Sequence, residues 1–408
     1  MITRHFLRVC LGNFFEHYDT ALFGFLSLFL APLIFPKEEP VTALILTYGM
    51  IPLGMIARPF GAYIFGFIGD RYGREQALFL TLSGMGAVSF GMAFSPTYEE
   101  AGVIAPLIFC LGRVLQNFLA SGETMGGAIF LLEKTPKKEH DLVSALYSAS
   151  SVGGILLASL GVSLIYHYEI VSLGWRALYL FGSITAFFGS LIRAQGERVI
   201  EKKKAPLRSL WEYKNEIFLI AIGAGFSYAN YSVALLLMNG FIPLISNLKE
   251  SAMVDLNTKL LCLDFCALPF FGWIASKISR EKMMFLASLG VILSAIPLMN
   301  RLPLASFFEV CVIRGIFVLF GVAFFAPFHA FAQELVREGD RYRVISFAYA
   351  IGCQLFGGIA APLSLFAFQK TGIVSSVAWY WSGLGLITFL GLSMNHYNKS
   401  KVLILKNK

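Results

Sequence analysis

Long apolar runs alternate along this chain with short polar breaks. A membrane-spanning helix needs about 20 mostly apolar residues, within a range of about 17–25. Twelve runs meet that description, at 11–35, 44–68, 76–95, 102–132, 142–168, 174–193, 216–246, 258–278, 283–300, 304–334, 343–369 and 374–394. Several are longer than a bilayer is thick, so tilt or extension into the cytoplasm is expected. The first run follows Arg4 and Arg8 but is interrupted by Glu16 and Asp19 and has no small-residue cleavage site, which predicts an uncleaved span.

Composition agrees with the pattern. Of 408 residues, 57% are hydrophobic and 14% charged, against about 45–50% and about 25% in soluble domains. That excludes a soluble enzyme, a secreted protein and a disordered chain. An all-α polytopic membrane protein is predicted, with short loops and no large soluble domain. The net charge of +8 does not point to nucleic acid, because the basic residues sit between the apolar runs. With both termini placed in the cytoplasm, 24 Lys and Arg fall on the cytoplasmic side and 5 on the other. This bias is the positive-inside signature. It predicts a multi-pass protein of the cytoplasmic (inner) membrane with both ends inside.

The longest polar stretch, 194–215, carries Glu201 followed by three lysines. It reads as a cytoplasmic linker between a bundle at 1–193 and a second at 216–408 that ends in a short basic tail. The six cysteines all lie in apolar runs and form no CxxC, so packing is expected of them rather than metal or disulfide chemistry. Gly153-Gly154 and Gly357-Gly358 lack the Lys-Ser/Thr of a phosphate loop, so no nucleotide or other cofactor is expected.

The two halves repeat. Gly66-Phe-Ile-Gly-Asp70-Arg71-Tyr-Gly73-Arg74 recurs 206 residues later as Gly272-Trp-Ile-Ala-Ser276-Lys277-Ile-Ser279-Arg280. Arg113 and Glu133 recur 201 residues on as Arg314 and Glu334. Carriers built from two related bundles show this kind of internal symmetry, with the substrate site expected near the midplane between them.

Gly66–Arg74 resembles the short loop motif of the major facilitator superfamily, Gly-x-x-x-Asp-Arg-x-Gly-Arg. The glycines permit a tight turn, and Asp70, Arg71 and Arg74 can pair at the cytoplasmic surface and hold one conformation shut. The second copy has lost its acid and its glycine, so gating is expected to rest on the first. Within that superfamily, residues 10–195 resemble the metabolite:proton symporters through four stretches. These are Gly12-Asn13-Phe-Phe-Glu16-His17-Tyr18-Asp19, Arg58-Pro59-Phe-Gly61, Arg113-Val-Leu-Gln116 with Gly122-Glu123, and Gly174-Trp175-Arg176. Asn117, Ser121 and Ala177 stand where that family usually has two glycines and a proline. The resemblance implies two six-helix bundles of the major facilitator fold and transport of zwitterions such as proline or betaine, or of carboxylates such as citrate or 2-oxoglutarate.

An ionisable group at the bilayer centre costs about 2.5–3.5 kcal/mol on insertion scales, so those present need a partner or a task. Glu16 and Asp19 are three apart on one helical face. Burial and like charge disfavour ionisation there, which suits a proton carrier; pairing with an arginine is the alternative. Glu123 is the third proton candidate. Arg113, Gln116, Arg314 and Tyr18 are the substrate-binding candidates, since a guanidinium holds a carboxylate bidentately. A purely structural ion pair is the alternative for Arg113. Asp264 fits a gate as well as a site, Arg58 fits helix docking, and His17 and His329 fit packing.

These features predict a secondary active transporter that takes up a small carboxylate-bearing solute with a proton by alternating access. Efflux or exchange by the same fold is the alternative. No paired catalytic set of an intramembrane enzyme occurs. Its expected partners are the small solute, protons and the lipid bilayer, and it is expected to work as a monomer.

Overall fold

The computed structural model describes residues 4–35, 40–168, 170–194 and 208–406. Among these the chain is helical throughout, with no strand. Twelve long helical segments follow one another, in register with the twelve apolar runs. They are α1 (Arg4–Ile34), α2 (Pro40–Arg71), α3 (Arg74–Ala93), α4 (Ile104–Glu133), α5 (His140–His167) and α6 (Val171–Ala194). Then come α7 (Lys214–Tyr231), α8 (Glu250–Ile278), α9 (Arg280–Arg301), α10 (Phe307–Phe325), α11 (Arg341–Ile351) and α12 (Trp379–Lys406). Nine segments among the described residues are long and apolar enough to cross a membrane.

Three segments are not plain α-helix: the tenth breaks at 326–327 before Phe328–Leu335, and two others hold π-helical turns. Beyond α7 the chain passes through a π-helical turn, Ser232–Leu237, before Met238–Ile245. Beyond α11 it passes through another, Gly352–Gly357, before Ala360–Thr371. Turns of this kind interrupt the regular ladder and recur at functional sites. The apolar pattern carries no trace of them. The helices also overrun the predicted spans: α1 begins at Arg4, α8 at Glu250, and α12 reaches Lys406. Backbone hydrogen bonding continues past the point where apolar residues stop, since polar residues extend a helix as well as apolar ones do.

Helix ends follow local chemistry. Ser306 opens α10 with a capping box, its backbone N–H donating to Glu309 Oε2 at 2.8 Å and its hydroxyl accepting from Glu309 N at 3.3 Å. Gly372, at φ 67°, ends the last piece of the eleventh segment.

The chain divides into two compact units. The first comprises Met1–Lys134, Ser150–Arg208 and Arg337–Phe347; the second comprises Thr135–Ala149, Ser209–Val336 and Ala348–Lys408. The division differs from the contiguous halves expected from the linker: the start of α5 groups with the second unit and the start of α11 with the first. The linker residues 195–207 lie outside the described residues.

In the first unit, one face of α1 (Tyr18, Leu22, Phe23, Leu26, Leu30) packs on Phe109, Trp175 and Tyr179. Large apolar residues such as Phe94, Leu107, Leu111 and Phe188 are exposed, as expected where the solvent is lipid. Close helix approach uses small residues: a Cβ on Gly154 would strike the Phe14 carbonyl, and one on Gly61 the Phe118 carbonyl. All six cysteines are free. Cys353 is buried, whereas Cys262 and Cys266 are exposed on α8 rather than packed inside.

Candidate functional site

Polar side chains from α1, α3 and α4 meet in the interior of the first unit. Asp19 on α1 and Gln116 on α4 are 2% and 0% exposed. Gln116 Nε2 donates to Asp19 Oδ2 at 3.0 Å and to Ser89 Oγ at 3.0 Å. The Ser89 hydroxyl, from α3, also donates to Asp19 Oδ2. On its other side, Gln116 Oε1 accepts from Arg113 Nη1 at 2.8 Å. One amide therefore joins the buried acid to the buried base.

Arg113 also donates to the Thr20 carbonyl at 3.4 Å and lies 4.6 Å over the Phe23 ring. It makes no ion pair with a carboxylate among the described residues, so the permanent structural pair weighed from sequence is absent there. Two groups remain buried without a hydrogen-bond partner: Arg113 Nε and Asp19 Oδ1. The Tyr179 hydroxyl on α6, also buried and unpartnered, lies within electrostatic range of both Arg113 and Asp19. Buried polar atoms are nearly always satisfied. Arg113 Nε, Asp19 Oδ1 and the Tyr179 hydroxyl are unsatisfied atoms of this kind, buried in the same unit as the acid and the base.

Glu16 is equally buried, at 1%. Its Oε1 accepts from Thr20 Oγ1 at 3.2 Å and its Oε2 lies 2.6 Å from His17 Nδ1. His17 was expected to be a packing residue on another face, yet its ring turns back to meet Glu16, and Nδ1 also lies 2.9 Å from the Asn13 carbonyl. Glu123 is fully buried two helical turns beyond Gln116 and accepts from Thr81 Oγ1 at 3.4 Å. Tyr18 donates to the Leu178 carbonyl at 3.2 Å and stacks edge-on with Phe181. Arg58 donates to Asn117 Oδ1 at 2.8 Å, which ties α2 to α4. Trp175 packs in the core, and Arg176 donates to the Ala93 and Ser95 carbonyls at 2.8 Å each. Sequence reasoning missed Ser89 and Tyr179. Within apolar runs a lone serine or tyrosine carries no distinguishing signal.

Arg314 belongs to the second unit. It is fully buried, and Nε and Nη2 reach the Ala234 carbonyl at 3.2 and 3.1 Å, while Nη2 also donates to Asn257 Oδ1 at 2.8 Å. Ala234 lies in the π-helical turn after α7. Nη1 has no partner.

The loop motif is built into the first unit. Asp70 is 2% exposed and pairs with Arg74. It also accepts from the backbone N–H groups of Tyr342, at 3.2 Å, and Arg343, at 2.9 Å. Those residues start α11, so the carboxylate sits at a helix N-terminus, where unpaired N–H groups and the dipole favour an anion. Arg74 reaches Glu133 at 3.1 Å and the Glu338 carbonyl at 3.2 Å, and Arg341 lies 3.8 Å from Glu133. Gly66 and Gly69 leave room for this: a Cβ on Gly69 would collide with the Tyr342 ring. Gly73 takes φ 120°. Arg71 is exposed.

The fold resembles solved carriers. A double-Trp mutant of XylE superposes with a TM-score of 0.75 at 15% identity, covering 94% of each chain. The major facilitator superfamily proton:xylose symporter XylE bound to 6-bromo-6-deoxy-D-glucose gives 0.70 at 13% identity, covering 95% of this chain and 94% of that one. The architecture is therefore the major facilitator fold. In sequence, the family described as Sugar (and other) transporter matches residues 6–195. A putative proline/betaine transporter of Staphylococcus aureus is 26% identical over 95% of this chain and 86% of its own length. A citrate-proton symporter of Klebsiella pneumoniae is 27% identical over 97% and 92%. The proteins this chain resembles are named as transporters and symporters.

Proposed function

We propose that this chain is a proton-coupled secondary transporter of the inner membrane that takes up a small carboxylate-bearing solute, such as a zwitterion or an organic acid. One observation supports the reading above others: Asp19 and Arg113 are buried together, joined through Gln116, without forming an ion pair. In this reading Asp19 carries the proton. When it ionises, Gln116 and Ser89 already donate to one of its oxygens, and Arg113 lies one amide away to offset the charge. When it is protonated, the Arg113 guanidinium is released toward the carboxylate of the solute. Glu16, beside His17, and Glu123 are the alternative proton sites, and Arg314 is a second anionic anchor. Gly66, Asp70, Arg71, Gly73 and Arg74 gate the exchange. The two bundles divide at 194–215, both termini are cytoplasmic, and the chain acts as a monomer. One charge moved across 100 mV is worth about 2.3 kcal/mol, enough to drive roughly a fiftyfold gradient.

Asp19→Asn in proteoliposomes tests this. Exchange of labelled for unlabelled solute should persist, because it needs only a loaded carrier. Accumulation driven by an imposed pH gradient should vanish. Undiminished uphill accumulation would remove Asp19 from the path, and the same assay on Glu16→Gln and Glu123→Gln would then locate the proton.

A further inference from the structure

A groove separate from the polar site opens between α1 and α6, which pack on each other in the first unit. It has a volume of about 130 Å³ and is lined by Arg8, Leu11 and Phe15 of α1 and by Thr185, Phe188 and Gly189 of α6. Residues 8, 11 and 15 fall on one face of α1, and 185, 188 and 189 on one face of α6. Leu11 is 46% exposed and Phe188 59%, so the groove faces outward, toward lipid, rather than into the core. Gly189 adds no side chain to fill it.

Its polarity is one-sided. Thr185 turns its hydroxyl to the Phe181 and Gly182 carbonyls of its own helix, at 2.9 Å each, and no acid lines the groove. Arg8 is partly exposed, and among the described residues it makes no hydrogen bond and no ion pair. It lies one turn inside the start of α1 at Arg4, while Gly189 lies close to the end of α6 at Ala194. The charge therefore sits at the membrane face where α1 begins and α6 ends. Phe15, seven residues on, lies about 10.5 Å deeper along the helix.

A cation at the surface with an apolar wall beneath it matches the order of a phospholipid, phosphate outside and acyl chain inside. A guanidinium grips a phosphate through paired N–H donors, and basic clefts between spanning helices take lipid headgroups. A free phosphate would meet Arg8 and leave the apolar wall uncovered. An uncharged lipid would cover the wall and leave the guanidinium unpaired. We propose that this groove seats an anionic phospholipid, its phosphate on Arg8 and the first part of an acyl chain along Leu11, Phe15 and Phe188. The seat ends one turn short of Asp19 and uses none of the residues of the polar site.

The test places the full-length protein in phosphatidylcholine vesicles that contain a trace of phosphatidylglycerol with a photoreactive diazirine on one acyl chain. Illumination should label the segments 11–15 and 185–189. Unlabelled phosphatidylglycerol should displace the label at least about tenfold more effectively than phosphatidylethanolamine does. Arg8→Gln, which keeps the wall, should bring the two competitors to within about twofold of each other. Thr185→Phe, which fills the groove and keeps the charge, should lower labelling of 11–15 by at least about fivefold. Label spread evenly over the outward faces of many helices overturns the proposal, because the groove then holds only ordinary bilayer lipid. Equal displacement by the two lipids in the wild type overturns it as well, as does an Arg8→Gln protein that keeps the wild-type preference. Displacement of the label by inorganic phosphate alone would reduce Arg8 to a simple anion contact and overturn the lipid seat. Should Thr185→Phe not fold, the wild-type labelling map and Arg8→Gln decide.

Discussion

The loops at 66–74 and 272–280 share one sequence pattern yet meet the helices they face in different ways. Each must place a negative charge at the start of a helix. In the first unit that helix, α11, has no acid in its first turn, and Asp340 just before it is already paired with Arg337 and Arg343. The loop supplies one: Asp70 accepts two of the N-terminal N–H groups, while Arg74 binds Glu133. In the second unit the helix, α5, has its own acid in the first turn, Asp141. There the loop supplies only the base. Arg280 Nε lies 2.9 Å from Asp141 Oδ1, and Arg280 Nη1 lies 3.0 Å from Glu334 Oε1, the repeat of Glu133. Ser276, in the place of Asp70, turns its hydroxyl to the Trp273 carbonyl of its own helix at 2.7 Å. The second copy, which looked degenerate in sequence, pairs its arginine with an acid on the facing helix instead of with an acid of its own loop.

The sharpest way to break this comparison is to remove the acid where it cannot be replaced. Asp70→Asn discards a charge that holds two buried N–H groups and a guanidinium. Hydrogen bonds to charged groups are worth about 1.5–3 kcal/mol, so a shift of roughly tenfold to a hundredfold in a conformational equilibrium is expected. Solute exchange rates should change by that order while calorimetric affinity stays nearly constant. Lost affinity with normal exchange would contradict the assignment.

A smaller effect is expected in the second loop. Asp141→Asn and Arg280→Gln should each lower the thermal unfolding midpoint, and the double mutant should fall short of their sum. The coupling expected for contacting charges is about 0.5–3 kcal/mol. Strict additivity would mean that Asp141 and Arg280 are not energetically coupled.

The smallest effect concerns the turn itself. Ser279 stands where the first loop has Gly73, and it adopts nearly the same backbone, φ 100° against 120°. Only glycine enters that region without strain, which costs a side-chain-bearing residue of order 1–3 kcal/mol. Ser279→Gly should therefore raise the unfolding midpoint by a few degrees, and Gly73→Ser should lower it. An unchanged or lowered midpoint for Ser279→Gly would show the surrounding contacts to favour serine.

Much of this was legible in the chain. The twelve apolar runs reported the helices because lipid demands a continuous apolar surface around each crossing. Arg113, Gln116 and Asp19 stood out because charge and amide groups are rare in such runs, and the structure brings those three together. The repeat of Arg74 and Glu133 as Arg280 and Glu334 was also visible, but the sequence did not reveal that each pair is one contact, since a contact across 59 or 54 residues leaves no local pattern. The π-helical turns, the Ser279 backbone and the placement of Ser89 and Tyr179 beside Asp19 were not legible. Each depends on how helices meet, and none alters the periodicity by which helices are found.

The π-helical turns after α7 and α11 occur, among the described residues, only in the second unit. A π turn is a helix carrying one surplus residue. Such a defect can travel along the helix like a wrinkle in a carpet, one hydrogen bond exchanging at a time. Each step re-aims the side chains it passes by about 100° and leaves the rest of the rod intact. The second unit therefore contains two places, Ser232–Leu237 and Gly352–Gly357, where the side-chain register is already offset from that of a regular α-helix.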